Sequence, residues 1–532
     1  MSKLILLLLW VLGLAIVLVV AVFQDSPGYM DADYYYSGGM QLASGQGFSE
    51  NILWNYLDDP EGLPHPSHGY WMPLVSILAA AGMALLGRVD FSSGRFFFIL
   101  IAAFIPPLTA ELAWRLHRRK DLALISGGLA LFPAFYLPYL PTTDVFGCFM
   151  ILGGSFFLLL TTGENSKHKS PPDRYSYPLL LGLLAGVMHL GRAEGLLWLF
   201  LGLAGTVRIA LDEQQPHSWR KALLAGLACL VGYLLVMGPW YIRNMAVFGA
   251  PLSPGGDRAL WIREYDELFI FPADQLTFQR WLQSGLGSIL NARLWSAGQN
   301  LQSALAVQGS IFLAPLIGLG LWRLRKLVSI RIAVSGWLLT FLAMTLAFPY
   351  QGARGGFFHS GAAFQPVFWA VAPLGLESLI EWGARKRNWQ ARQALGVFGV
   401  GLVGLALLLT TLASRERLFS AEAGGSSWNA HNERYVHLEQ YLLKRDTPLE
   451  EVVMVNNSPG YFAASGRPSI SIPYSDLQEV CSAADRYQAR FLLLEIDQIP
   501  AEAELFDHPK DKLCLQYLDT VDDVHIFWIK EP

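Results

Sequence analysis

Charge is the scarcest property of this sequence. Only 15% of its 532 residues are Asp, Glu, Lys or Arg, against about 25% in soluble globular chains. The net charge of −4 is too mild for a protein that neutralises a nucleic-acid backbone, so nucleic acid is excluded as a partner. Cysteine is scarce too, with four residues and no metal-ligand spacing, which excludes a cysteine-based metal centre. Internal repeats and low-complexity segments are absent, which excludes solenoids and disordered tracts. What remains is apolar. Hydrophobic residues make up 53% of the chain and recur in runs near the length that spans a bilayer, so the class is a polytopic α-helical membrane protein. The 17 Trp and 31 Phe suit a lipid-facing exterior and its interfacial belts.

Candidate spans are 4–22, 96–115, 122–140, 144–162, 177–191, 195–211, 222–240, 303–321, 332–349, 361–380 and 395–413. The first follows Lys3, and its apolar run is long with no small-x-small site before Gln24-Asp25, so it reads as an uncleaved signal anchor. The stretch 72–87 is ambiguous, and charge decides it. The basic connections are His117 to Lys120, Lys167-His168-Lys169, Arg220-Lys221, Trp322 to Lys326 and Arg385-Lys386-Arg387. Short basic loops stay cytoplasmic, and all five join Lys3 inside only if 72–87 does not cross. That stretch is therefore placed at the outer interface or half-inserted. About eleven crossings follow. The N-terminus is then cytoplasmic, the C-terminal region extracytoplasmic, and the location a multi-pass plasma (inner) membrane. The expected domains are a membrane body, 1–413, with outer loops 23–95 and 241–302, and a small α/β domain, 414–532. The latter has strand-like runs at 451–455, 491–494 and 525–529. Cys481 and Cys514 fall in it and, if it lies outside, are placed to form a disulfide; Cys148 and Cys229 read as packing residues.

The unusual chemistry collects on the long outer loops. Residues 30–39 read MDADYYYSGG, just past the first span. Asp31 and Asp33 suit a general base, a metal-ligand pair or a hydroxyl-positioning group. In an extended segment they share a face; in a helix they diverge. Two acids this close push one pKa up, as proton abstraction requires. The tyrosines suit sugar stacking or headgroup-depth anchoring, and the loop continues with Trp54, Trp71, His65 and His68, which add stacking faces and hydrogen bonds. Asp144 opens a span after Pro141-Thr142-Thr143, where a cap alone would also explain it. His189, Arg192 and Glu194 sit at the tip of a short hairpin, as a phosphate grip or as an ion pair locking the turn. Arg354 and His359 form a second cationic pair between three glycines and the next span. Acids, arginines, histidines and aromatics on one face next to lipid suit a ligand with a lipid tail, a phosphate and a polar head.

In order and topology these features resemble the GT-C superfamily of lipid-linked glycosyltransferases, which includes protein O-mannosyltransferases and lipid A aminoarabinose transferases (glycosyltransferase family 39 and its relatives). The carriers, spread over about 1–413, are Asp31-Ala-Asp33-Tyr-Tyr-Tyr36, Leu42-Ala43-x-Gly45-x-Gly47-Phe48, Pro73, Gly87, Arg95, Thr143-Asp144 and Gly191-Arg192-Ala-Glu194-Gly195. The resemblance implies an integral membrane, inverting hexosyl- or pentosyltransferase. It would take a polyprenyl-phosphate sugar donor from the membrane and a lipid, glycan or protein acceptor from outside. The family's first-loop motif is Asp, a second acid, and Tyr four residues after the Asp. Asp31 and Tyr35 match it, but Ala32 replaces the second acid and Asp33 is a rival for the catalytic role. Asp144 matches the second acidic position. The implied roles are catalysis for Asp31, Asp33 and Asp144, and substrate binding for Tyr35, His65, His68, His189, Arg192, Glu194, Arg354 and His359. A divalent cation between Asp31 and Asp144 fits the resemblance without being required. The other function classes are a transporter, which predicts inverted-repeat symmetry, and a lipid-binding scaffold using the same outer cavity.

Overall fold

The computed structural model describes residues 1–165, 171–211, 218–388, 390–419, 428–495, 499 and 503–530. The basic connection at 167–169 lies outside them. Two compact units divide the chain. One comprises 1–23, 97–243 and 293–418; the other comprises 24–96, 244–292 and 419–532.

The first unit is a multi-pass membrane body. Among the described residues, eight helices are long and apolar enough to cross a bilayer, from Lys3–Ala21 to Ala391–Phe419. They coincide with eight of the expected spans. The other three are shorter or broken. Span 122–140 is a helix, Lys120–Leu131, that stops at Phe132-Pro133 and restarts as a 3-10 turn, Ala134–Tyr139. Pro133 accounts for the stop, because it disfavours helical geometry in the residue before it. Span 177–191 is an apolar piece, Ser176–Gly191, and span 303–321 is a π-turn, Ser303–Gln308, followed after a break by Ala314–Arg323. At that break Ser310 and Ile311 both take positive φ. The helix Gln365–Arg387 is buried along most of its length. Lys3–Ala21, by contrast, exposes Leu4, Leu7, Leu8 and Val11, as a lipid-facing helix does.

The second unit is built around a six-stranded sheet. Its strands run in the order Ile52–Leu53, Ser469–Ser471, Val452–Val455, Ala489–Leu494, Val524–Ile529, Leu515–Val521. The first four are parallel and the last two pairings antiparallel. All of Val452–Val455 is buried, because the sheet is covered on both faces. Met454, Leu492 and Phe527 pack with Val480 and Tyr487 on one face; Val453, Phe491 and Ile526 pack with Tyr435 and Tyr461 on the other. The three strand-like runs read in the tail are thus strands. The edge strand Ile52–Leu53 comes from the segment after the first span, about four hundred residues away in sequence from its partner Ser469–Ser471. Cys481 and Cys514 form a disulfide, whereas Cys148 and Cys229 are free and buried.

The ambiguous stretch 72–87 is a helix, Leu74–Leu86, of this second unit. It starts after Pro73 and ends where Gly87 turns left-handed at φ +66°. It packs against the helix Met30–Ala43 that carries both aspartates. Ser37-Gly38-Gly39 makes this approach feasible: a Cβ on Gly39 would lie 2.7 Å from Ala79 Cβ.

Candidate active site

In the membrane unit the site is assembled around Asp144. Thr142 bends the chain before the helix Phe146–Asn165, its carbonyl accepting from the Asp144 amide at 2.9 Å. Asp144 Oδ1 accepts the amide of its neighbour Val145 at 2.5 Å, just ahead of the helix. Its second oxygen is turned elsewhere. Asp144 Oδ2 lies 3.1 Å from His359 Nε2, and His359 Nδ1 donates to the Gly355 carbonyl at 2.8 Å. With Nδ1 donating to that carbonyl, Nε2 is the ring nitrogen turned to the carboxylate. The ring of His359 is stacked on Phe146 at 4.2 Å and 21°. Asp144 is 1% exposed, so this pair is a buried, oriented unit and not a solvated surface contact.

The hairpin tip contributes a second cluster. Arg192 Nε and Ser360 Oγ both donate to Glu194 Oε1. Ser360 directly follows His359, so the Glu194 carboxylate ties the tip to the His359 segment. Buried His189 belongs to a separate chain of hydrogen bonds, with Nδ1 2.6 Å from Tyr233 Oη and that oxygen 2.5 Å from Tyr241 Oη. Arg354 lies in the kinked segment Gly352–Gly356 and is exposed.

The second unit holds the first-loop acids. Met30–Ala43 is helical, so the shared-face arrangement available to an extended segment does not occur. Asp31 is half-buried in the first turn. Asp33 is buried and accepts a hydrogen bond from Asn457 Nδ2 at 2.9 Å. Burial pushes its carboxyl up to about 7; the Asn457 bond opposes this and the nearby Asp31 charge adds to it. The three tyrosines are buried, which removes the reading of headgroup-depth anchors. Tyr35 packs on Tyr34 and Trp71, Tyr36 meets Phe91 edge-on at 5.7 Å, and Trp71 stacks on Trp54 at 4.0 Å.

Both loop histidines face inward. His68 donates its amide to Tyr34 Oη at 3.1 Å and its Nδ1 lies 3.1 Å from the Trp71 carbonyl. His65 Nε2 donates to the Ile52 carbonyl at 2.9 Å, with Glu50 and Asp58 within 3.5 and 3.7 Å. They brace the loop that Tyr35 and Trp71 line. Sequence reasoning did not single out Ser360, Asn457, Phe146 or Tyr233. Asn457 had a usable signal: it precedes Ser458-Pro459, the start of the helix Ser458–Ser465, whose Gly460 amide it caps at 3.1 Å.

Solved structures decide the fold. The oligosaccharyltransferase of Archaeoglobus fulgidus in its apo form is similar over 93% of this chain and 70% of that one, at 12% identity and TM-score 0.59. The same protein in complex with Zn and sulfate covers 92% and 68%, at 12% identity and TM-score 0.54. ArnT from Cupriavidus metallidurans bound to undecaprenyl phosphate is similar over 98% of this chain and 97% of that one, at 13% identity and TM-score 0.55. The chain has the GT-C fold. No protein-family model matches the sequence, and no match is found among curated proteins.

Proposed function

We propose that the protein is a glycosyltransferase of the membrane, moving a sugar from a polyprenyl-phosphate donor to an acceptor on the outer face. The observation that carries this is the buried Asp144–His359 pair, set in a fold shared with transferases whose structures contain a lipid phosphate or act on oligosaccharides. Asp31 takes the proton of the acceptor's nucleophile. The nucleophile's electron pair forms the new bond to the anomeric carbon. The bond from that carbon to the phosphate oxygen breaks with its electrons going to the phosphate, and the configuration inverts. Arg192, oriented by Glu194, and exposed Arg354 neutralise the charge that grows on the leaving lipid phosphate. Buried Tyr35 backs half-buried Trp71, the ring against which a sugar stacks. Asp33 holds its helix in place through Asn457 and does not contact the substrate.

A divalent cation fits the donor types at Asp144 and His359, one carboxylate and one imidazole with ligand atoms 3.1 Å apart. Asp31 is the second carboxylate we propose for it. Bound there, a cation would supply charge neutralisation at the phosphate. In this reading the N-terminus and the basic loops are cytoplasmic, and the Cys481–Cys514 disulfide supports an oxidising, extracytoplasmic setting for the tail.

The test incubates the purified full-length protein with a panel of radiolabelled polyprenyl-phosphate sugars and host membranes. Label transferred to lipid, glycan or protein, and lost with Asp31→Asn, is expected. No transfer with any donor, in protein whose fold is verified, overturns the reading.

A further inference from the structure

We infer that the groove between the helices Lys120–Leu131, Gln365–Arg387 and Ala391–Phe419 is a binding site for an anionic glycerophospholipid. The groove encloses about 870 Å³, inside the roughly 300–1,000 Å³ range of small-molecule sites. It belongs wholly to the membrane unit. It also lies far from the chemistry: the helix Gln365–Arg387 begins just after His359, and Glu377 and Glu381 reach the groove from its last turns.

The charges at its mouth do not cancel. Arg119 binds Glu377 at 2.7 Å and Asp121 at 2.6 Å. Arg323 binds Glu377 at 2.9 Å and approaches Glu381 at 3.5 Å. The three acids lining the groove share two arginines, Arg119 and Arg323, so that with Lys120 and Arg392 the charges there sum to +1. Lys120 and Arg392 also line it, are exposed, and have no ion-pair partner among the described residues. Below them the lining turns apolar, through Ile125, Leu395, Gly396 and Gly399. The side is open: Leu124 and Val400 are 44% and 76% exposed, and a Cβ on Gly396 would meet nothing within 4 Å.

Two unpaired cations above an apolar slot select an amphiphile with an anionic head, and a basic pocket between transmembrane helices is where such headgroups settle. A free phosphate would use the cations and leave the slot empty. A zwitterionic lipid would fill the slot but set its own ammonium against Lys120 and Arg392. The site does not depend on the proposed transferase reaction.

The experiment uses delipidated full-length protein in detergent, with bound lipid counted by native mass spectrometry and Tm measured alongside. Phosphatidylglycerol should be retained several-fold better than phosphatidylcholine and should raise Tm. Lys120→Gln/Arg392→Gln should erase the preference. Gly396→Phe fills the slot without touching a charge and should lower phosphatidylglycerol retention several-fold, which decides the matter if the double variant misfolds. Equal retention of the two lipids by the unmodified protein overturns the proposal. So does undiminished retention by Gly396→Phe, a matching Tm rise with inorganic phosphate, or displacement of phosphatidylglycerol by an equal amount of polyprenyl phosphate.

Discussion

Asp31 and Asp33 are separated by one residue in the chain but by about 200° around their helix. That rotation gives them different work. Asp33 points into its own unit and meets Asn457; Asp31 stays half-buried. Asp31→Asn should therefore lower sugar transfer by roughly 10²–10⁴-fold, the usual size of a lost general base, with membrane insertion unchanged. Asp33→Asn keeps an oxygen for Asn457 and should change initial rates by no more than a few-fold. Asp33→Leu strands the Asn457 amide and should cost about 1–3 kcal/mol in thermal unfolding. The sequence showed both acids but not this division of labour. Extended and helical readings of MDADYYYSGG were equally open, because a helix buried on most sides carries no apolar stripe to betray its period. A second buried acid gives a pH test. Burial raises the Glu495 carboxyl above its ordinary value, although the bond from Tyr435 Oη at 2.9 Å and Arg434 both lower it. A raised acid contributes stability that is full below the unfolded value and is lost as pH rises through the folded one. Glu495→Gln keeps an acceptor for Tyr435 and never ionises. Its Tm should equal that of the parent near about pH 4 and exceed it increasingly toward about pH 8; a constant difference across that range would contradict the assignment.

At the scale of elements, close helix packing rests on paired small residues. A Cβ on Gly320 would lie 2.1 Å from the Val371 carbonyl oxygen, and one on Gly375 would lie 2.0 Å from that of Leu316. The helices Ala314–Arg323 and Gln365–Arg387 thus each give the other a backbone-to-backbone seat, the arrangement membrane helices use where lipid supplies no hydrophobic drive. Gly318, on the same short helix, has nothing within 4 Å of its Cβ position. Gly320→Leu and Gly375→Leu should each lower folded yield and cost at least about 1–3 kcal/mol, while Gly318→Leu should be close to neutral, as read by fluorescence-detected size exclusion and thermal scans. Elements were legible where a local cause exists. Gly87 announces its helix end and Val452–Val455 its strand, while Pro133 was a signal for the break that the span 122–140 ran through. The π-turn Ser303–Gln308 has no proline or glycine to announce it. The edge strand Ile52–Leu53 owes its conformation to Ser469–Ser471, a partner no local pattern can reveal.

For the whole molecule, the sidedness of every proposed residue rests on parity, and parity rests on the three short elements. Between Arg118 and Arg387 there are five long apolar helices among the described residues. Five crossings alone would put the two arginines on opposite sides of the membrane. If Lys120–Tyr139, Ser176–Gly191 and Ser303–Arg323 also cross, the number becomes even and the arginines share a side. Basic clusters flank both positions, and such clusters stay on the cytoplasmic side, so the shared side is the expected one. A short piece can complete a crossing because neighbouring helices and internal hydrogen bonds satisfy its broken backbone. Buried Asn300 shows one such repair near the π-turn, donating to the Met344 carbonyl at 3.3 Å and to Thr345 Oγ1 at 3.0 Å. The measurement is accessibility in intact cells, with Cys148 and Cys229 first replaced by serine and single cysteines placed at exposed sites. Arg118→Cys and Arg387→Cys should both resist an impermeant maleimide until the membrane is opened. Glu450→Cys, beyond the last long apolar helix, Ala391–Phe419, should react at once. Opposite labelling of the first two would mean that an odd number of the short elements fails to cross, and the proposed outer site would lose its common side.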